Sequence, residues 1–167
     1  EMKTIKYIIL FVFLQISSVF ALCLTDRSNF GDSFSKVQKN FNILDLPQIA
    51  PQGFELSILA QDICKNNPAL EYATIKYFFF DDKLIEIWGE DFYSDNLKIL
   101  KWLEKEFGVA DDKPKNISDK NNVAHIHWDK SNIFVFYQME KHDEGTREFF
   151  KILSKRFNSE YEDYFKK

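Results

Sequence analysis

The sequence is short of the residues that interrupt a chain. Four Pro and five Gly in 167 residues leave no linker rich in either, so the chain reads as one domain after its leader. Positive charge is also in deficit: 22 Lys and Arg stand against 26 Asp and Glu, a formal net charge of −4. A nucleic-acid binder needs a basic stripe for phosphate contacts, and an anionic lipid surface calls for the same excess. Both classes are excluded as expectations. The phosphate-cradling and dinucleotide-binding glycine patterns are missing, as is the Gly-x-Ser-x-Gly nucleophile elbow. No cofactor and no catalytic residue set is therefore expected. No low-complexity tract and no repeat is legible.

What the chain does have begins at its start. Met2-Lys3-Thr4-Ile5-Lys6 is positively charged, Tyr7 to Leu14 is unbroken apolar sequence, and Val19-Phe20-Ala21 offers small residues for cleavage. These are the three parts of a secretory signal peptide. The expected division is a cleaved leader over 1–21 and a single α+β domain over 22–167. Two other readings stay open. Ile5 to Leu24 has the ~20 residues of a membrane anchor. Cys23 is a candidate for lipidation, although Leu22 stands where Gly, Ala or Ser is usual. Cleavage after Ala21 removes Lys3, Lys6 and Glu1 and leaves 20 basic and 25 acidic side chains.

Only two cysteines exist, Cys23 and Cys64. In an oxidising compartment they suggest one disulfide. The aromatic load is the least ordinary feature, with 18 Phe, 7 Tyr and 3 Trp. Such a load fills a core with rings in place of Leu, or it leaves an apolar sheet face for a partner.

The periodicity predicts a helix capped by Asp32 or Ser33, with Phe34, Val37 and Phe41 on one face. Phe54, Leu56 and Ile58 alternate as in a strand. Thr74 to Phe80 and Leu84 to Trp88 flank a turn at Asp81-Asp82-Lys83 and predict a hairpin. A three-residue turn puts Ile75, Tyr77, Phe79, Ile85 and Ile87 on one face and Phe78, Phe80, Leu84 and Trp88 on the other. A helix follows, capped by Ser94 or Asp95, striped by Leu97, Leu100, Leu103 and Phe107, and ended by Gly108. Ala110 to Asn122 reads as a solvated loop that carries the sequon Asn116-Ile117-Ser118. A second hairpin, with Trp128 facing Ile133, separates Ala124, Ile126, Trp128, Val135 and Tyr137 from His125, His127, Phe134 and Phe136. Phe149, Phe150, Leu153 and Phe157 predict a closing helix. The sum is an α+β domain with an antiparallel sheet of about five strands, built from two hairpins plus one strand, with helices mainly on one face.

Three constellations carry chemistry. His125 and His127 lie two apart on a strand and can supply half of a zinc or copper site; the plainer reading is a pair of strand histidines beside Phe134 and Phe136. Asp81-Asp82 suits a hairpin tip, where Asp is favoured by turn geometry alone. Phe78, Phe80, Trp88, Phe134 and Phe136 form the candidate contact face.

Phe30-Gly31-Asp32-Ser33 with Val37, followed by Tyr77 to Ile87, resembles small exported bacterial modules. In these a Gly-x-Ser/Thr-x-x-x-Val helix precedes a hairpin ending in Phe-x-Asp/Asn-Gly-Lys-Leu. The outer-membrane assembly lipoprotein BamE and the β-lactamase-inhibitor-like modules look like this, over roughly residues 30–88. Asp82 stands where those modules have Gly. The resemblance implies a non-enzymatic, protein-binding module of the cell envelope, periplasmic or secreted. Its partner would be another envelope or secreted protein, with no nucleic acid and no membrane span after cleavage. The alternatives are a small envelope hydrolase around the His125/His127 hairpin, and an inhibitor or immunity protein that binds an enzyme.

Overall fold

The computed structural model describes residues 23–43, 47–50, 53–94, 96–112 and 123–166. The expected leader, the sequon and Asp95 lie outside them. The elements run α1 (Phe34–Phe41), β1 (Gln48–Ala50), β2 (Gly53–Leu59), α2 (Ala60–Ile63), β3 (Thr74–Phe80), β4 (Lys83–Ser94), α3 (Lys98–Phe107), β5 (Val123–Asp129), β6 (Ile133–His142), β7 (Gly145–Ser154) and α4 (Lys155–Phe165). The domain is α+β, as expected. All pairings are antiparallel, in one seven-stranded sheet of order β1-β2-β3-β4-β7-β6-β5.

Two strands exceed the expected five. The short edge strand β1 is one. The other is β7, where the spacing of Phe149, Phe150 and Leu153 predicted a helix. That stretch instead sits at the middle of the sheet, between β4 and β6. Glu148, Phe150, Ile152 and Ser154 are buried in alternation with half-buried neighbours, the period of a strand rather than a helix. The closing helix starts only at Lys155, with the Ser154 hydroxyl accepting from Phe157 N.

The β3–β4 hairpin corrects the expected register. Asp81 and Asp82 both have positive φ, 48° and 56°, so the turn is the two-residue type I′ form that suits the twist of flanking strands. Phe79 pairs with Leu84, and Leu84 joins Phe79 in the core. Ile85 is then an extra residue: Phe78 pairs with Glu86, past a register shift. This β-bulge returns Ile87 to the same face as Tyr77. One uniform apolar face is kept by a tight turn plus a bulge, not by a three-residue turn. In the other hairpin Trp128 pairs with Val135 rather than Ile133. The slip is two residues, so every side chain stays on its expected face.

The fold repeats itself where the sequence does not. Strands β2-β3-β4 with α1 are answered by β5-β6-β7 with α3, and the halves meet at the β4–β7 seam. A two-fold through the Trp88–Lys151 pair exchanges the Ile87–Ile152 and Gly89–Phe150 pairs. It also places Tyr77, paired with Leu56 and Ile87, where Tyr137 pairs with Ile126 and Phe150. Both tyrosines are fully buried. Tyr77 donates to Leu24 O at 2.8 Å and Tyr137 to Glu148 Oε1 at 2.8 Å. Burial, and secondarily the charges of Asp26 and Glu148 respectively, push both phenols well above their ordinary range.

Helices α1 and α3 cover the same face of the sheet. Phe41 packs on Tyr77, Phe34 on Phe79, Trp102 on Phe150 and Phe107 on Trp128. Neither helix has an acidic residue in its first turn. Each receives one from the sheet instead, which satisfies its free N–H groups and complements the positive end of its dipole. Asp82 Oδ1 accepts from Phe34 N at 2.9 Å. Glu148 accepts from Ile99 N at 3.2 Å and Leu100 N at 3.0 Å. Ser94, expected as the α3 cap, ends β4 and donates to Glu148. The helix is preceded by Leu97 with φ 52° and no side-chain cap. Gly108 ends it as expected, at φ +79°.

Cys23 and Cys64 form the expected disulfide, with Cα atoms 5.3 Å apart. It ties the segment before α1 to the end of α2, beside the buried Leu24 and Ala60. No helix among the described residues is long and apolar enough to cross a membrane.

Candidate functional site

The second face of the sheet is built by the alternate positions that the core does not use. From β3 come Lys76, Phe78 and Phe80, and from β4 Glu86, Trp88 and Glu90. Strand β7 adds Arg147, Phe149 and Lys151, and β6 adds Phe134, Phe136, Gln138 and Glu140. His125 and His127 come from β5. Helices were expected mainly on one face; α4 lies on this second face and covers one end. Its Tyr161 meets Phe80 and Phe78 edge-on, with centroids 5.0 and 5.9 Å apart.

A row of rings crosses five strands on this face. Trp88 stacks on Phe78 at 6.3 Å, Phe149 meets Trp88 at 6.2 Å, Phe136 meets Phe149 at 6.5 Å, and His125 meets Phe136 at 5.6 Å. His127 stacks on Phe134 at 5.4 Å. Trp88, Phe134, Phe136 and Phe149 are half-buried. Of the five residues expected to form a contact face, Phe78 and Phe80 thus meet Tyr161 of α4, while Trp88, Phe134 and Phe136 take part in the ring contacts between strands.

Charges thread the rings in opposite pairs. Lys151 Nζ sits 4.2 Å from the Trp88 ring centroid and 3.2 Å from Glu86 Oε2, and the Trp88 indole N–H donates to the same oxygen at 2.7 Å. Arg147 reaches Glu90 at 2.9 Å and Glu140 at 3.8 Å and lies over Phe92 at 4.8 Å. Its Nε is buried without a hydrogen-bond partner. Beside it a cleft of about 260 Å³ opens between Thr74, Lys76, Trp88, Glu90, Arg147 and Phe149. Exposed Phe92, under Arg147, extends the aromatic surface past the cleft.

Sequence reasoning missed Arg147, Phe149 and Phe92. The first two sit in the segment read as a helix, and no periodic signal marks the third. The alternation of Arg147, Phe149 and Lys151 was the available clue.

The other constellations do not gather chemistry. His127 Nδ1 lies 3.8 Å from Asp112, and His142 Nε2 lies 3.5 Å from Glu140. Among the described residues no three His, Cys, Asp or Glu side chains converge to hold a metal. Ser94, Tyr137 and Glu148 do converge, but Glu148 is fully buried and Ser94 nearly so. Both oxygens of Glu148 are taken, Oε2 by Ser94 and Ile99 N, and Oε1 by Tyr137 and Leu100 N. That trio is a helix cap inside the core, out of reach of substrate. Asp81 and Asp82 form the exposed hairpin tip.

The chain matches none of the family models, curated proteins or solved structures with which it was compared.

Proposed function

We propose that this is a non-catalytic, polypeptide-binding domain of an exported cell-envelope or secreted protein, and that it grips its partner across the β4–β7–β6 part of the second sheet face. The observation that carries the reading is the row Trp88–Phe149–Phe136 with Arg147 set among it. Aromatic residues and Arg are the types enriched at the centres of protein interfaces. Paired charges of both signs beside the rings suit the polar rim and register of a protein partner. They do not suit the uniformly negative backbone of a nucleic acid. The leader pattern at 2–21 and the Cys23–Cys64 bridge support export, because disulfides persist in oxidising compartments. The likeness of residues 30–88 to BamE-like envelope modules agrees. Gly31 N donates to Leu84 O and Leu84 N to Asp32 O, each at 2.8 Å, so the two halves of that motif meet in space.

The test is site-specific photocross-linking in the source cells. A photoreactive side chain at Phe92 or Phe136 is expected to capture one polypeptide, and the same group at Lys39 on α1 is not. The adduct should weaken with Arg147→Ala. Capture from Lys39 alone, or adducts indifferent to Arg147→Ala, would overturn the assignment of this face. A captured enzyme whose activity falls on binding would make the domain an inhibitor.

A further inference from the structure

A second cleft lies on the opposite side of the molecule, between α3 and the segment that follows α2. Its volume is about 510 Å³, within the roughly 300–1,000 Å³ of small-ligand sites. One wall is apolar and fixed. Pro68 and Ala69 are held by a chain of turns, Asn67 N to Cys64 O at 2.9 Å, Ala69 N to Asn67 Oδ1 at 3.1 Å and Leu70 N to Asn67 O at 3.1 Å. The Cys23–Cys64 bridge anchors that chain at its start. Trp102 also lines the cleft, itself locked edge-on against Phe150 at 5.4 Å.

The other wall is cationic. Lys98, Lys101 and Lys105 line the cleft, and their spacing of three and four puts them on one stripe of α3. None of the three takes part in the ion pairs found among the described residues. The second face behaves differently: there Lys76, Arg147 and Lys151 each meet a glutamate. Glu71 is the one acid lining the cleft. A chain with a formal net charge of −4 thus sets three lysines that are in no ion pair among the described residues, against one glutamate, beside the surface of Trp102, Pro68 and Ala69. A neutral apolar ligand would make no use of the lysines, and a small hydrophilic anion would make none of Trp102, Pro68 and Ala69.

We infer that this cleft binds an anionic amphiphile of the medium-chain carboxylate class. The tail lies against Trp102, Pro68 and Ala69, and the carboxylate faces the Lys98–Lys101–Lys105 stripe. The site is separate from the sheet face proposed for a polypeptide, so either assignment can fail without the other.

Decanoate is the probe, titrated into the disulfide-bonded domain and followed by calorimetry and by the Trp102 indole N–H resonance. One saturable site with a dissociation constant on the order of 100 µM is expected. Decanol should bind at least tenfold more weakly. The variant Lys98→Glu/Lys101→Glu/Lys105→Glu should lose at least tenfold in decanoate affinity while its circular dichroism is unchanged. No saturable shift of Trp102, equal binding of decanol and decanoate, or an unaltered affinity in the lysine variant would each overturn the inference.

Discussion

Replacing Glu148 by Gln should destabilise the domain by about 3 kcal/mol. The side chain is fully buried, and each of its oxygens accepts from one hydroxyl and one backbone N–H. An amide turns one of those oxygens into a donor. The facing hydroxyl can rotate and accept from it, but the facing backbone N–H of α3 cannot. A buried donor left unpaired costs about 1–3 kcal/mol. Loss of the negative charge at the α3 N-terminus adds about 0.5–1 kcal/mol. Urea unfolding followed by tryptophan fluorescence reads the change directly. At roughly 3–4 °C per kcal/mol for a domain of this size, the melting temperature should fall by about 10 °C. Ser94→Ala keeps the carboxylate and both helix contacts and should cost only about 1 kcal/mol. A Glu148→Gln protein within about 0.5 kcal/mol of the parent, or one less affected than Ser94→Ala, would refute the reasoning, since surface-like tolerance is the mark of a group that holds nothing.

Other outcomes follow from the same contacts. The Cys23–Cys64 bridge spans a sequence separation of 41, so Cys23→Ala/Cys64→Ala should lose about 4 kcal/mol in the chain-entropy account; urea titrations of the variant and of the reduced parent should agree. Tyr77 and Tyr137 hold their protons above the ordinary range, near pH 10 for a free phenol. The folded state thus binds more protons than the unfolded chain at high pH. Stability is full below about pH 10 and falls above it by up to about 1.4 kcal/mol per pH unit for each phenol. Stability curves of Tyr77→Phe/Tyr137→Phe, taken from pH 9 upward, should lose that part of the slope. A Cβ at Gly89 would lie 2.0 Å from Phe150 Cε1 and 2.9 Å from Ile75 Cδ1. Gly89→Ala should therefore overpack the seam at a cost of about 1–3 kcal/mol, and Gly89→Ala with Phe150→Leu should recover part of it in thermal melts.

The hairpin β5–β6 was legible because its alternation is clean. His125, His127, Phe134 and Phe136 fall on one face and Ile126, Trp128, Val135 and Tyr137 on the other, and a two-residue slip leaves both faces intact. The β7 strand was not legible because a central strand with Phe149 and Phe150 adjacent, and Leu153 four residues on, satisfies helical spacing as well as strand spacing. Its inward Glu148 broke the apolar alternation where the chain needed a helix cap. The same misreading hid Arg147 and Phe149, which share the second sheet face with Trp88, Phe134 and Phe136. The β3–β4 register failed for a different reason. Asp81 and Asp82 both adopt the left-handed conformation usually left to Gly and Asn, and the bulge at Ile85 has no signature of its own.

The two-fold arrangement has a consequence for how the chain reaches this state. Each half is a meander of sequence neighbours: β3 pairs with β4 across a tight turn, and β5, β6 and β7 follow one another in order. Such pairings close short loops early and at small entropic cost. Among the described strands only β4–β7 joins residues as distant as Glu86 and Leu153, and no tight turn draws those strands together. The loop-closure cost predicts this seam as the slow step of refolding, so in stopped-flow kinetics Ile152→Val should slow refolding more than Ile126→Val does. The same step holds back the α3 cap as well, because Glu148 can reach Ile99 and Leu100 only after β7 has docked.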